Sequence, residues 1–350
     1  MRAISAADAV SLAIQRTRDF LFRPFTWGTY LKLGLVAMLT EGFGSNFNSS
    51  SHGGSSSGNG PTIHSPSEIP PEWIAAIIAA VLVALVISIV IFYLITRLRF
   101  AFFHCLIHNT KEIRPGWRLY GTQAMRFFWL NAGVGFGFLV VVVLVTIPFA
   151  AGFWRVFREI SQGGQPDWAL IVTLVLPLIP IIFLLVLAGV LADLVLRDWM
   201  LPHYALDNAS AGEAWSRVWA HIMAEKRQFL VYGLLRVILP VIAMIGLFIV
   251  LMIPGLILAG SLGAIEYAIH GAFADATGAS AVAGILLEVF FGVLAFGFAV
   301  LAGICLGGPV STAVREYALL FYGGRYQALG DILYPPPTAA PMVFGGPGMA

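Results

Sequence analysis

The sequence predicts an all-α fold, a polytopic transmembrane helical bundle of about six spans. Three observations predict it. Hydrophobic residues make up 59% of the 350-residue chain and charged residues only 11%, against roughly 25% charged in an ordinary soluble domain. The apolar residues fall into long runs. Lys and Arg are concentrated between alternate runs. No soluble fold of this size could hide so much apolar side chain, so lipid has to be part of the solvent.

A spanning helix needs about 20 mostly apolar residues. Six stretches qualify, near Phe25–Glu41, Trp73–Thr96, Phe127–Phe149, Ala169–Ala192, Phe229–Met252 and Ala281–Leu306. The first is short and carries Lys32. The fifth is hard to close, because its apolar run continues past Pro254 to Ile265. A re-entrant turn or a short extra helix within 253–280 would fit there, giving seven or eight spans. Pro177, Pro180, Pro240 and Pro254 lie in or beside spans, where proline bends helices and frees carbonyls.

Lys and Arg fix the expected orientation. Arg2, Arg16, Arg18 and Arg23 precede the first span. Arg97, Arg99, Lys111, Arg114, Arg118 and Arg126 lie between the second and third, and Arg197, Arg217, Lys226 and Arg227 between the fourth and fifth. Arg315 and Arg325 follow the last span, while the opposite side holds only Arg155 and Arg158. The basic side is expected to be cytoplasmic, with both termini inside. No apolar core or cleavage site of a signal peptide is recognised near the N-terminus. The predicted location is the bacterial cytoplasmic (inner) membrane.

Residues 1–330 read as a single transmembrane domain, and 331–350 as a Pro-rich disordered tail. The segment 43–72 reads as a flexible loop, since Gly44–Gly60 contains seven Ser, five Gly and three Asn. Gly54-Ser-Ser-Ser-Gly58 formally matches GxSxG, but lacks the strand before and helix after that a nucleophile elbow needs. Cys105 and Cys305 have neither metal nor CxxC spacing.

Each odd-numbered span is preceded by a short segment with one apolar face. In Ser5–Phe22 the face is Ala6, Val10, Ala13, Ile14, Thr17 and Leu21. In Pro115–Phe128 it is Trp117, Tyr120, Ala124, Phe127 and Phe128. In Ala211–Ala224 it is Ala211, Trp215, Val218, Trp219 and Ile222. These spacings fit a 3.6-residue period. Ser5 with Asp8 and Ser210 with Glu213 read as capping boxes, and Pro115 suits a helix start. Basic, aromatic helices of this kind are expected to lie in the membrane interface, with Trp117, Trp215 and Trp219 as anchors. The chain then reads as three copies of one unit: interfacial helix, span out, loop, span back.

Three markers carry a family resemblance. They are Arg97-Leu-Arg-Phe-Ala-Phe-Phe through Ile113-Arg-Pro-Gly-Trp117, then Arg197-Asp-Trp-Met-Leu-Pro202 with Ala214-Trp215 and Phe229-Leu-Val-Tyr232, and Arg315-Glu-Tyr-Ala-Leu-Leu-Phe. With the Gly/Ser/Asn loop, they resemble a family of uncharacterised bacterial multi-pass membrane proteins. More loosely, the repeated unit is similar to the membrane domain attached to some glycerophosphodiester phosphodiesterases. The soluble phosphodiesterase domain has no counterpart here, so that activity does not carry over. The resemblance implies topology and location, and no catalytic residues.

Charges within spans are functional candidates by default. Glu288 lies about seven residues into the last span, roughly 10 Å deep at 1.5 Å per residue. Its ridge neighbours Gly284 and Gly292 suggest a closely packed facing helix. Lys32 and Arg236 sit at similar depth from the other side, where snorkelling is the plain alternative. Asp193 is the expected partner of Arg236. His104 and His108, four apart in HCLIH, are a speculative metal pair without the Glu of HExxH. His203 and Asp207 repeat that spacing. Ala295, Ala299, Gly303 and Gly307, and Gly133 with Gly137, are small residues at the spacing that permits close helix contact.

No P-loop or dinucleotide fingerprint is found, no cofactor is expected, and the basic residues are explained by topology without nucleic acid. The expected partners are the lipid bilayer, its anionic phospholipid headgroups and a membrane protein. The leading expectation is a non-enzymatic scaffold or accessory protein of the bacterial envelope. The alternatives are a small-solute or lipid transporter using Glu288 as a proton-sensitive group, and an intramembrane metal-dependent enzyme using the HCLIH pair.

Overall fold

In the computed structural model, residues 4–42, 71–162, 167–273 and 278–335 are described, and every regular element among them is helical. The Gly/Ser/Asn loop, its GxSxG match and the tail beyond residue 335 lie outside the described residues. In chain order the helices are α1 (Asp8–Phe22), α2 (Trp27–Ala37), α3 (Pro71–Ile107), α4 (Ile113–Leu119), α5 (Gly121–Ser161), α6 (Trp168–Leu194), α7 (Leu201–Leu206), α8 (Ala211–Ala224), α9 (Lys226–Phe273), α10 (Ala279–Gly323) and α11 (Gln327–Leu333). Two π-helical segments interrupt the series. Met38–Gly42 prolongs α2, and Val195–Met200 joins α6 to α7.

Five helical stretches are long and apolar enough to cross a membrane: Trp73–Ile107, Gly121–Ser161, Trp168–Leu206, Lys226–Phe273 and Val282–Gly323. They contain the second to fifth predicted spans and all but the first residue of the sixth. In each, the most apolar window has no buried residue. So much exposed apolar surface is incompatible with water and fits a lipid solvent. The first predicted span is the 11-residue α2 with its five-residue π turn. At 1.5 Å per residue it measures about 24 Å, against a hydrocarbon core of about 30 Å.

The stretch after Pro254 forms neither a re-entrant turn nor an extra helix among the described residues. α9 runs unbroken through Pro240 and Pro254 to Phe273. Its 48 residues make about 72 Å of helix, well beyond one bilayer thickness.

The described residues form two compact units. The first draws on Met1–Ile77, Phe102–Ile113 and Arg227–Ala350. Here α1, α2 and α11 all pack on α10. The rings of Tyr232 and Phe321 stack at 4.4 Å and those of Tyr232 and Tyr317 at 5.0 Å. α2 meets α10 at glycine: a Cβ built on Gly308 would stand 2.6 Å from the Gly34 Cα. Only hydrogen at both positions allows that approach. The contact brings the Tyr30 hydroxyl to donate to the Cys305 carbonyl at 2.5 Å.

The predicted α1 face is partly rotated. Ala6, Ala9, Ala13, Thr17, Phe20 and Leu21 are buried, whereas Ile14 is exposed. Ser5 accepts from the Asp8 backbone N–H and donates to its carboxylate, which is not the reciprocal box expected.

The second unit draws on Ile78–Ala101 and Arg114–Lys226. α5 and α6 form an antiparallel pair, closest where a Cβ on Gly152 would collide with Leu174 at 2.5 Å. Gly133 and Gly137, expected to mediate such contact, face open space. The segment Pro115–Phe128, expected as one interfacial helix, is broken at Tyr120 (φ −100°, ψ 22°). The α4 piece is short, and Ala124, Phe127 and Phe128 belong to the spanning helix α5. Phe127 packs edge-on against Phe100 and Tyr204. The Ser210–Glu213 capping box is present as read, both hydrogen bonds formed.

Candidate functional site

In the first unit, buried charge clusters at the end of α10 where Arg315 and Glu316 sit. Five charged side chains from four helical segments meet there. The π turn Met38–Gly42 carries Glu41. Its Oε2 accepts from Arg236 Nη2 at 2.9 Å, and its Oε1 lies 3.9 Å from Arg315 Nε. On the next residue of α10, the Glu316 carboxylate lies 3.2 Å from Arg16 Nε. Arg16 also donates to the Leu106 carbonyl at 2.7 Å. The Glu41, Arg236, Arg315 and Glu316 side chains are all at least nine-tenths buried.

Ion pairs so well removed from water are energetically double-edged. Desolvation opposes them, yet removing one partner leaves an uncompensated buried charge. The arrangement therefore ties α1, α2, α9 and α10 together only while every member is present. Nearby, Arg325 donates to the carbonyls of Phe321 and Ile4 and lies 4.0 Å from the Phe321 ring centroid. The first and last described segments thus share one end of α10.

Of the residues singled out from the sequence, Arg236 belongs to this cluster but its partner is Glu41. Asp193, expected as the partner of Arg236, belongs to the second unit. Asp193 binds Arg197 one turn away on its own stretch, at 3.2 Å, and that intrahelical partner is closer in sequence than any on α9. Lys32 is exposed on α2, as snorkelling would have it. Glu288 faces α9 and lies 3.0 Å from His270 Nδ1. Gly284, one turn away, abuts Phe273, as a close-packed ridge requires, whereas Gly292 faces open space. On the same helix Gly303 touches Met38, while Gly307 touches nothing.

His104 and His108 have ring centroids 4.5 Å apart and ring planes tilted by 55°. Among the described residues, no three His, Cys, Asp or Glu side chains group so as to hold a metal. His203 binds Asp207 at 3.4 Å, and Arg217 also pairs with that carboxylate. Trp117 lies beneath the Arg97 guanidinium at 4.6 Å. Trp215 and Trp219 stack on one another. A cavity of about 340 Å³ between α5 and α6 is lined by Val143, Ile147, Phe149, Phe153, Leu178 and Thr146. The Thr146 hydroxyl donates back to its own helix at Val142.

Sequence reading missed Glu41, Arg315, Glu316 and Arg16 as a group. One signal was present. Arg197-Asp-Trp and Arg315-Glu-Tyr repeat the order arginine, acid, aromatic, and Arg99 occupies the same place in Arg99-Phe-Ala. All three arginines are buried, Arg315 to 2% exposure. Ending the last span at Leu306 assigned Arg315 to a solvated tail, although α10 continues to Gly323.

A family profile described as a family of unknown function (DUF7544) matches residues 4–332. The chain belongs to this family, as the three sequence markers led one to expect of an uncharacterised group. No curated protein and no solved structure matches it. No link to the phosphodiesterase membrane domain emerges from these comparisons.

Proposed function

We propose that this chain is a non-catalytic scaffold or accessory protein of the bacterial cytoplasmic membrane, with both ends cytoplasmic and anionic headgroups against its basic side. One observation carries the reading. Buried charged groups of the first unit pair with one another across distant segments, Glu41 with Arg236 and Arg315, and Glu316 with the part-exposed Arg16. Their chemistry closes a bundle instead of lining a binding cavity, and what the molecule presents outward is a broad apolar surface. Such a surface suits lipid and the spanning helices of a partner.

The test is purification in native lipid discs, with mass spectrometry of everything that stays bound. A protein partner at constant ratio supports the scaffold. A lone chain carrying a small molecule contradicts it and favours transport. The transport reading has its own observation, the titratable pair His270–Glu288 joining α9 to α10. On that reading Glu288→Gln abolishes solute flux into proteoliposomes while the protein still folds.

A further inference from the structure

α8 is the one segment expected at the membrane interface whose inward and outward faces the structure separates cleanly. Its inward face is Ala214 and Val218, both fully buried, and it packs against the π segment Val195–Met200. Its outward face is a stripe one turn apart: Trp215 and Trp219, each 48% exposed, and Met223, 40% exposed. The two indoles stack with centroids 5.8 Å apart and planes 19° from parallel. The stripe differs from the sequence expectation, in which both tryptophans shared the Val218 face.

We propose that the Trp215–Trp219–Met223 stripe docks into the boundary between the headgroups and acyl chains of a lipid bilayer. The inference rests on the membrane reading above and adds to it a specific face and occupant. Continuity argues for lipid. α8 follows the spanning stretch Trp168–Leu206 after four residues, and it packs on that stretch's terminal turns within the same unit. The Arg126 guanidinium, in the first turns of the neighbouring span α5, donates to Asn208 Oδ1 at 3.1 Å. α8 is therefore held at the level where two lipid-facing helices end.

Chemistry argues the same way. Indole has an apolar body and a single N–H, the combination enriched at membrane–water boundaries. Charge is complementary to headgroup phosphate. Arg126 and Lys226 are exposed at the two ends of α8. Of the nearby acids, Asp207 is paired with Arg217 and Glu213 is tied into the helix cap, while Glu225 is half-buried.

The test uses the full chain with Cys105→Ser and Cys305→Ser, in discs of phosphatidylcholine and phosphatidylglycerol. An environment-sensitive thiol label is placed at Met223→Cys in one sample. In another it is placed at Phe248→Cys, an exposed position within α9. Nitroxide lipids with shallow or deep spin labels, and an aqueous quencher, report where each label sits. The expected result is a Met223 label quenched by the shallow nitroxide and shielded from the aqueous quencher. Adding Trp215→Ala and Trp219→Ala should abolish that shallow quenching, whereas Phe at both positions should retain it.

A Met223 label open to the aqueous quencher, with the Phe248 label in lipid, overturns the docking and leaves the membrane reading standing. A Met223 label shielded from water but untouched by nitroxide lipid overturns it in favour of a second copy or a bound protein. A Phe248 label in water removes the membrane reading itself.

Discussion

Glu41 receives Arg236 at 2.9 Å and stands 3.9 Å from Arg315, so its removal is felt at two buried cations. Breaking one side of a buried pair costs roughly 3–5 kcal/mol. Glu41→Gln should therefore lower the thermal midpoint in mild detergent sharply, and a double-mutant cycle with Arg236→Gln should show strong coupling. Were Arg236 instead snorkelling to the surface, both effects would be near zero. The sequence displayed Arg236 as an odd charge in an apolar run, which is why it was legible. Its partner was not, because Glu41 sits at the edge of a run where an acid looks like a boundary residue. Only the π turn aims it inward.

A smaller prediction concerns Glu213. Its hydrogen bonds in the capping box, first to the Ser210 backbone and then to the Ser210 hydroxyl, hold its carboxyl below the ordinary carboxylate range. A lowered folded-state pKa contributes stability that is present above the unfolded value and lost as pH falls through the folded one. Amide protection at the start of α8, relative to the intrinsic exchange rate, should fall as pH drops below the usual carboxylate range, and Glu213→Gln should remove that pH dependence.

At the scale of elements, α2 and α10 approach so closely that one methyl decides the contact. Gly308→Ala places a Cβ 2.6 Å from the Gly34 Cα, and overpacking of this kind costs typically 1–3 kcal/mol. It should also separate Tyr30 from the Cys305 carbonyl. Gly307→Ala meets nothing within 4 Å and should leave the thermal midpoint unchanged. Equal effects at the two neighbours would contradict the crossing. Spacing in the sequence located the right helix and Gly303, which meets Met38, but passed over Gly308, since a stripe of small residues says that a close contact is possible but not which helix supplies it. Helix ends were harder still. Hydropathy marks where lipid can touch a helix, whereas α9 and α10 continue well past that point, through prolines and through Arg315-Glu316.

For the whole molecule, Arg16–Glu316 and Arg325–Ile4 place the first and last described segments at the same end of α10. That agrees with the distribution of Lys and Arg, which is an independent argument for ends on one side. Five long helices alone would place the ends on opposite sides. On the proposed topology, with both ends on one side, a further crossing falls between α1 and α3, in the stretch containing α2. Composition made the bundle legible from the outset, because 59% hydrophobic residues leave no soluble solution. Parity was less legible, since α2 is short and its polar flank gives no length signal.

The most direct test is thiol accessibility across an intact membrane, in a background of Cys105→Ser and Cys305→Ser. Single cysteines replace Arg18 on α1, Arg158 in the last turn of α5, and Asp331 on α11, all exposed positions. A membrane-impermeant maleimide added to whole cells should label only Arg158→Cys, with the other two labelled after permeabilisation. Labelling of Arg18→Cys or Asp331→Cys from outside would contradict the proposed cytoplasmic location of both ends.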